Sequence, residues 1–436
     1  MKKLYIETYG CQMNVADSEV VAAILSEEYT LTNTMQEADL LLINTCSVRD
    51  HAEQRVRARL RELAALKKGN ASLLIGLLGC MAERVKEALL NEEEALDFIA
   101  GPDAYRTLPQ LISRAQNREN PFNVLLSTQE TYDDILPIRY DTNGVSAFIS
   151  ITRGCNNFCT YCVVPYTRGR ERSRPPETIL HEVEDLANNG YKELTLLGQN
   201  VNSYSWRNDK ENMDFPDLIA AVASHVPHIR VRFATSHPKD ISDKLLHTIA
   251  RYPNICKHIH LPVQSGSDNM LNRMNRGYSR EKYLQRVARI KELLPHCTLS
   301  TDIITGFCGE TEKDHQDTLT LMETVGYASA FLFKYSVREG TLAAKKFTDD
   351  IPENVKARRF NEILTLQQQL SLNSNLKEVG KTVEVLVEGT SKRSNKQLFG
   401  RTSQNKVVVF DGGDRQPGDL VLVTIHRCTA ATLIGK

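Results

Sequence analysis

Three short apolar runs in the N-terminal segment each close on a cysteine. "KKLYIETYG" leads into Cys11, "ADLLLINTC" ends on Cys46 and "ASLLIGLLGC" ends on Cys80. The stretches "SEVVAAILSE" and "AEQRVRARLRELAALKK" between them are amphipathic, and "RVKEALLN" and "LDFIAGP" continue the alternation. Short apolar strands separated by amphipathic helices predict an α/β fold with a doubly wound parallel sheet. Ligands of such sheets bind outside the carboxyl ends of the strands. Three cysteines at successive strand ends would therefore converge on one edge, the alternative being three separate buried thiols.

The chain has 436 residues, which predicts two to four domains. Three segments are expected: residues 1–123, 144–374 and 375–436, with a turn-rich connector at about Pro121–Asn143. The central segment offers the strands "SAFISIT", "ELTLLGQ", "IRVRFAT", "HIHLPVQ", "LSTDIITGF" and "SAFLFKYS", with helical stretches between them. That predicts a partial (β/α)6 barrel, whose chemistry belongs at the carboxyl ends of its strands. The last segment alternates β-patterned runs with turns and predicts a small antiparallel β-barrel. From Leu376 onward ten Lys/Arg face six Asp/Glu, an excess of four in a chain of zero net charge. A basic terminal module suggests a polyanionic partner, with a solvated basic surface as the plain alternative. "MKKLYIETYG" turns polar too early for a signal peptide, and no apolar run approaches the ~20 residues of a membrane helix. A cytoplasmic enzyme without a membrane partner is expected.

Ten cysteines are many for a cytoplasmic chain, and clustered ones more often bind metal than form disulfides there. Cys256, Cys297 and Cys428 have no partners by spacing and read as small apolar residues. "GCNNFCTYC" places Cys155, Cys159 and Cys162 after the first strand of the predicted barrel. A structural zinc site would want a fourth ligand nearby, but the next histidine, His181, falls in a predicted helix. A four-iron cluster can use three thiolates and keep one iron open for a small molecule.

The motif "GCNNFCTYC" resembles the signature of the radical S-adenosylmethionine enzymes. With "TYGCQMN", "NTCSVR", "GLLGCMAER" and "RGCNNFCTYCVVPYTRGRERSR", essentially the whole chain resembles the methylthiotransferases of that class. "LLGQNVNSY", "RFATSHP" and "LPVQSGSDNMLNRMNRGY" are most similar to the bacterial branch acting on tRNA. The resemblance implies an N-terminal auxiliary-cluster domain, a radical core and a C-terminal TRAM domain that binds RNA. It implies two [4Fe-4S] clusters, one on Cys11, Cys46 and Cys80, the other on Cys155, Cys159 and Cys162, with S-adenosylmethionine on the latter. It implies methylthiolation of carbon 2 of N6-isopentenyladenosine at tRNA position 37, within the anticodon stem-loop. One S-adenosylmethionine would donate the methyl group, a second would be the radical source, and the auxiliary cluster would give sulfur. An electron donor of flavodoxin or ferredoxin type is implied as a partner.

Secondary residues follow from the same motifs. Tyr161 could pack against the cofactor's adenine, as the family motif suggests. Gly198, Gln199 and Asn200 end the second barrel strand, where the radical core contacts the cofactor's amino group. Ser236, Gln264 and Asp302 lie near other strand ends and are read as cofactor contacts, or equally as ordinary barrel-lining polar residues. Arg168, Arg170, Arg172 and Arg174 could clamp phosphate, or form a solvated face. In the tail, Lys392, Arg393, Lys396, Phe399 and Arg401 suit RNA contact, although Phe399 could instead fill the barrel. Cys308 stands in "GFCGE" where the family usually has proline, and it reads as an incidental thiol.

Two rival activities stay open at this level: methylthiolation of threonylcarbamoyl-adenosine in tRNA, or of a ribosomal protein side chain. A non-catalytic, zinc-stabilised RNA-binding protein is a third reading, against which the missing fourth ligands argue.

Overall fold

The first apolar run forms β1 (Lys2–Tyr9), and the sheet it starts continues with β2 (Tyr29–Leu31), β3 (Leu40–Thr45), β4 (Leu74–Gly79), β5 (Phe98–Ala100) and β6 (Phe122–Asn123). The computed structural model describes residues 1–46, 50–140, 143–208 and 212–436. Residues 47–49, within "NTCSVR", and 141–142, within the connector, lie outside them. The strand order is β2-β1-β3-β4-β5-β6 and every pairing is parallel. β3 and β4 are buried along their whole length, as continuous apolar runs in a covered parallel sheet must be. Side-chain alternation divides β3 between two cores. Leu40 and Leu42 join residues of α1 (Gln12–Ile24) and, further on, Leu108, Leu111 and Ile112. Leu41 and Ile43 join Val56, Leu60 and Leu63 of α2 (Asp50–Gly69) and Met81, Ala82 and Leu89 of α3 (Cys80–Glu92). The sheet is therefore doubly wound. The short edge strand β2 is an addition to the sequence reading, so the cysteines follow β1, β3 and β4 rather than three consecutive strands. The connector contributes β6, and its Tyr132 is buried in the first core.

By packing, the chain forms two units. One comprises Met1–Asp141, Ser150–Phe158 and Cys162–Thr178, the other Thr142–Ile149, Cys159–Tyr161 and Ile179–Lys436. β7 (Ser146–Ser150) opens the central segment, and the antiparallel pair β8 (Thr152–Arg153) and β9 (Arg172–Ser173) belongs to the first unit. In the second unit follow β10 (Glu193–Leu197), a small hairpin of β11 (Ser205–Arg207) and β12 (Asn212–Asp214), β13 (Arg230–Phe233), β14 (His258–His260), β15 (Thr298–Thr305) and β16 (Ser329–Lys334). All six expected barrel strands are present. They form two three-stranded halves, β13-β10-β7 and β14-β15-β16, with a parallel bridge from Val231 to Ile255 between them. Asp214, Ser242, Ser267, Ser279 and Thr311 start intervening helices by accepting a backbone N–H in the first turn. Parallel register sets His260 beside Ser300 and Asp302 beside Phe331 on one face of their half. Ile259, Leu299 and Ile303 occupy the opposite face and are buried.

The helix Glu353–Leu376 leads to the terminal barrel, which closes in the order β17-β18-β19-β21-β20. Its strands are β17 (Thr382–Ser391), β18 (Ser394–Thr402), β19 (Val407–Asp411), β20 (Leu420–Cys428) and β21 (Leu433–Gly435). The expected small antiparallel β-barrel is present, with four antiparallel pairings and one parallel pair, β19 with β21. Strand directions cannot alternate around a ring of five, so one like-directed pair is unavoidable. Val385, Val387, Val408, Phe410, Val423 and Ile425 fill the interior. Arginines of β13 hold this barrel by its backbone: Arg230 Nη1 donates to the carbonyl of Arg401 at 2.7 Å and Arg232 Nη2 to that of Thr402 at 2.7 Å. Arg232 Nη1 also reaches the Ser403 carbonyl at 3.3 Å, and Thr298 Oγ1 donates to the Gln404 carbonyl at 2.7 Å. Among the described residues, no helix is long and apolar enough to cross a membrane.

Candidate active site

The first unit gathers Cys11, Cys46 and Cys80 where the strand order reverses, between β1 and β3, and at the adjoining end of β4. Cys11 is the residue before α1, and Cys80 is the first residue of α3. Helix N-termini favour the thiolate form. A hydrogen bond with Cys46, together with the Arg168 charge and despite opposing desolvation, pulls the Cys11 thiol down to about 6. Burial pushes the Cys80 thiol up, against the pull of Arg168, whose Nε lies 3.0 Å from the Cys80 sulfur.

A polar lattice ties these strand ends together. Asn14 Nδ2 donates to Asn44 Oδ1 and to the Thr45 carbonyl, both at 3.0 Å, and Asn44 Nδ2 returns to the Asn14 carbonyl at 2.9 Å. Thr45 Oγ1 donates to the Leu78 carbonyl at 3.2 Å, linking β3 to β4. Gly10 has φ +140°, and a Cβ there would stand 2.6 Å from Cys46 Cβ. Gly79, at φ +90°, would place one 2.4 Å from Asn44 Oδ1. The backbone passes too close for any side chain at either position.

The donor set fits an iron–sulfur cluster. Cys11 is hydrogen-bonded to Cys46, and the Arg168 guanidinium stands beside Cys80. Three soft ligands beside a guanidinium suit an anionic iron–sulfur group. Glu312, His315 and Glu362 do converge within 4.8 Å, but Arg358 and Arg359 already occupy their carboxylates.

Cys155 and Cys162 belong to the first unit and Cys159 to the second. The Cys155 sulfur accepts from the Asn157 N–H at 3.5 Å. In the second unit, Arg276 Nη1 lies 3.2 Å from the Cys159 sulfur and 3.4 Å from Tyr161 Oη. Arg276 Nη2 donates to the Pro262 carbonyl at 2.8 Å. Thr160 is stitched to the same segment through the carbonyls of Met274 and Arg273. Tyr161 meets Phe307 edge-on at 6.5 Å.

The polar residues expected at the barrel-strand ends fall into two groups. Gln199 Oε1 and Ser236 Oγ are buried without hydrogen-bond partners. Both amide atoms of Asn202, which the sequence reading passed over, are in the same state. Unsatisfied buried polar atoms are what a polar cofactor would satisfy. Asn200, by contrast, is engaged with Asp240 at 2.7 Å and with the His237 N–H at 3.1 Å. Gln264, at φ +73°, donates its N–H to the Asp302 carbonyl at 2.9 Å, and Gly198 is buried after β10.

The arginine series requires correction. Arg168, Arg172 and Arg174 are buried, and only Arg170 is exposed, stacked over Phe158 at 4.5 Å. Arg168 Nη2 binds Asp17 at 2.8 Å beside Arg153 at 2.7 Å, and Arg172 binds Asp103 at 3.0 Å. Arg174 Nη1 donates to the Ser150 carbonyl at 2.9 Å. Burial alone would raise the Asp17 pKa, but the Arg153 and Arg168 charges hold it below the usual carboxylate range. Arg168, Arg172 and Arg174 thus brace the protein from within, and Arg170 alone of the series faces solvent. In the terminal barrel, Lys392, Arg393 and Lys396 are exposed on the β17–β18 hairpin. Arg401 is occupied by Glu193 at 2.8 Å. Phe399 lies outside the barrel's apolar interior, against the Gly389 side of β17. Cys308 joins an apolar cluster with Phe307 and Tyr335.

Fold and cysteine loop together define a radical S-adenosylmethionine protein. The Radical SAM superfamily model matches residues 149–322, the model described as uncharacterized protein family UPF0004 matches 3–101, and the TRAM domain model matches 376–436. The radical S-adenosylmethionine methyltransferase TsrM from Kitasatospora setae, solved with cobalamin and a [4Fe-4S] cluster bound, shares the fold. Its TM-score is 0.59 at 12% identity, covering 79% of this chain and 77% of that one. The chain belongs to the tRNA-2-methylthio-N(6)-dimethylallyladenosine synthase family. It is 58% identical to the protein of that name from Phocaeicola vulgatus, over all of this chain and 96% of the relative. The Porphyromonas gingivalis relative of the same name is 55% identical, over all of this chain and 95% of its own length.

Proposed function

We infer that the protein is a radical S-adenosylmethionine tRNA methylthiotransferase acting on carbon 2 of N6-dimethylallyladenosine, the isopentenyladenosine of the sequence reading. The observation that carries this reading is identity of 58% along the entire chain to a protein named for that product. A [4Fe-4S] cluster and S-adenosylmethionine belong to the superfamily. A second cluster on Cys11, Cys46 and Cys80, reaction at tRNA position 37, a flavodoxin- or ferredoxin-type donor and a cytoplasmic setting complete the proposal.

When bound, the cofactors supply one-electron activation of an unreactive C–H bond, a methyl group and sulfur. The chain's own residues hold and shield them. Arg168 keeps positive charge on Cys80 and, through Asp17, locks to Arg153. Arg276 does the same for Cys159 while orienting Tyr161. Gln199 Oε1 and Ser236 Oγ offer acceptors to the polar end of S-adenosylmethionine. Lys392, Arg393 and Lys396 meet the RNA backbone on an exposed hairpin.

The test is mass spectrometry of digests after anaerobic reaction with S-adenosylmethionine and a reductant. Dimethylallyladenosine tRNA, threonylcarbamoyl-adenosine tRNA and ribosomal protein are offered separately. A methylthio increment on the dimethylallyl nucleoside alone is expected. An increment on either of the others would overturn the substrate.

A further inference from the structure

Phe331 is out of character for a barrel strand. It lies on β16, the last strand of its half-sheet, and its side chain is 56% exposed. It belongs to the polar face of that half, with His260, Ser300 and Asp302, while the apolar face opposite is buried. His260 meets the Phe331 ring edge-on, with centroids 5.8 Å apart and planes at 80°. The imidazole is itself held, with Nδ1 2.9 Å from Ser300 Oγ and Nε2 3.4 Å from an Asp302 oxygen. The phenyl ring is thus in contact with a fixed imidazole, next to a carboxylate, and more than half of it stays open to contact.

A rigid, open aromatic face flanked by polar groups is what an unpaired nucleobase stacks upon. The target adenine must leave its neighbours in the loop for carbon 2 to be reached, and it then needs a new stacking partner. We propose that Phe331 is the stacking platform for the target adenine, with His260 as the positioning residue that holds its ring. This rests on the tRNA methylthiotransferase reading. It adds a contact on the second half of the barrel, distinct from the basic hairpin.

Binding is measured by fluorescence anisotropy on the full chain with both clusters reconstituted. One anticodon stem-loop carries dimethylallyladenosine at the target position and a second is abasic there. Phe331→Ala is expected to weaken binding of the base-bearing RNA about tenfold, with no change on the abasic RNA. Phe331→Trp restores binding of the base-bearing RNA. Equal losses on both RNAs, or no loss on either, would overturn the platform. If wild-type protein makes no methylthio nucleoside yet the base-dependent loss persists, the proposed activity fails and the platform stands.

Discussion

Arg168 Nε lies 3.0 Å from the Cys80 sulfur, and the same guanidinium reaches Asp17 through Nη2 at 2.8 Å. One buried cation thus serves a thiol and a carboxylate that are 63 positions apart in the chain, Cys80 and Asp17. Replacing it with an uncharged side chain leaves Asp17 with Arg153 as its remaining ionic partner. Arg168→Met is therefore expected to destabilise the fold by less than the ~3–5 kcal/mol of a buried charge left with no partner. Denaturant melts of the variant check the loss, and iron analysis should show weakened retention.

Glycine at position 10 is required by contact as well as by conformation. Gly10→Ala would drive a methyl group against Cys46 Cβ at 2.6 Å. With the second cluster proposed above, the expected result is loss of about half the bound iron. Mössbauer or iron assays should show that half missing, with the far-ultraviolet spectrum unchanged.

The proposed roles of the two triads differ in a way that separate assays resolve. Cys80→Ala should still release 5′-deoxyadenosine from S-adenosylmethionine but yield no methylthio nucleoside. Cys159→Ala should abolish both. Full product from Cys80→Ala would refute the auxiliary-cluster proposal.

Burial, with the Arg276 and Lys239 charges, pushes the His237 imidazole down to about 2. Its ordinary value is ~6.5. Between those values the unfolded chain takes up a proton that the folded chain refuses, so acidification favours unfolding. Stability should fall as pH drops below ~6.5, by up to ~1.4 kcal/mol per pH unit from this one group. His237→Asn should flatten the curve, measured by denaturant melts of both proteins from pH 7.5 down to 5.

RNA attraction through the β17–β18 hairpin should depend on salt. Replacing Lys392 and Arg393 with Ala is expected to reduce the slope of log Kd against log salt by roughly one to two, one released counterion per lost phosphate contact. An unchanged slope would remove the hairpin from the interface.

The parts of this fold that periodicity encodes were legible in the sequence. β1, β3 and β4 announce themselves as apolar runs, and the cysteine at each end follows from them. All six central strands do the same. β2, with three residues, is too short to carry a period. The parallel β19–β21 pair follows from ring closure, which no local pattern shows. The arginines misled for a different reason. "RGRERSR" reads as a solvated or phosphate-facing string because the carboxylates that bury it, Asp17 and Asp103, lie 151 and 69 residues away. Arg276 stands in the quoted "RMNRGY", yet nothing local indicates that it turns toward Cys159.

Arg230 and Arg232 grip the terminal barrel at peptide oxygens of Arg401, Thr402 and Ser403. A carbonyl is present whatever side chain accompanies it. Thr402 and Ser403 can therefore drift in sequence without loosening these moorings, whereas the two arginines cannot. The exposed β17–β18 hairpin is free to vary while the barrel's seat stays constant.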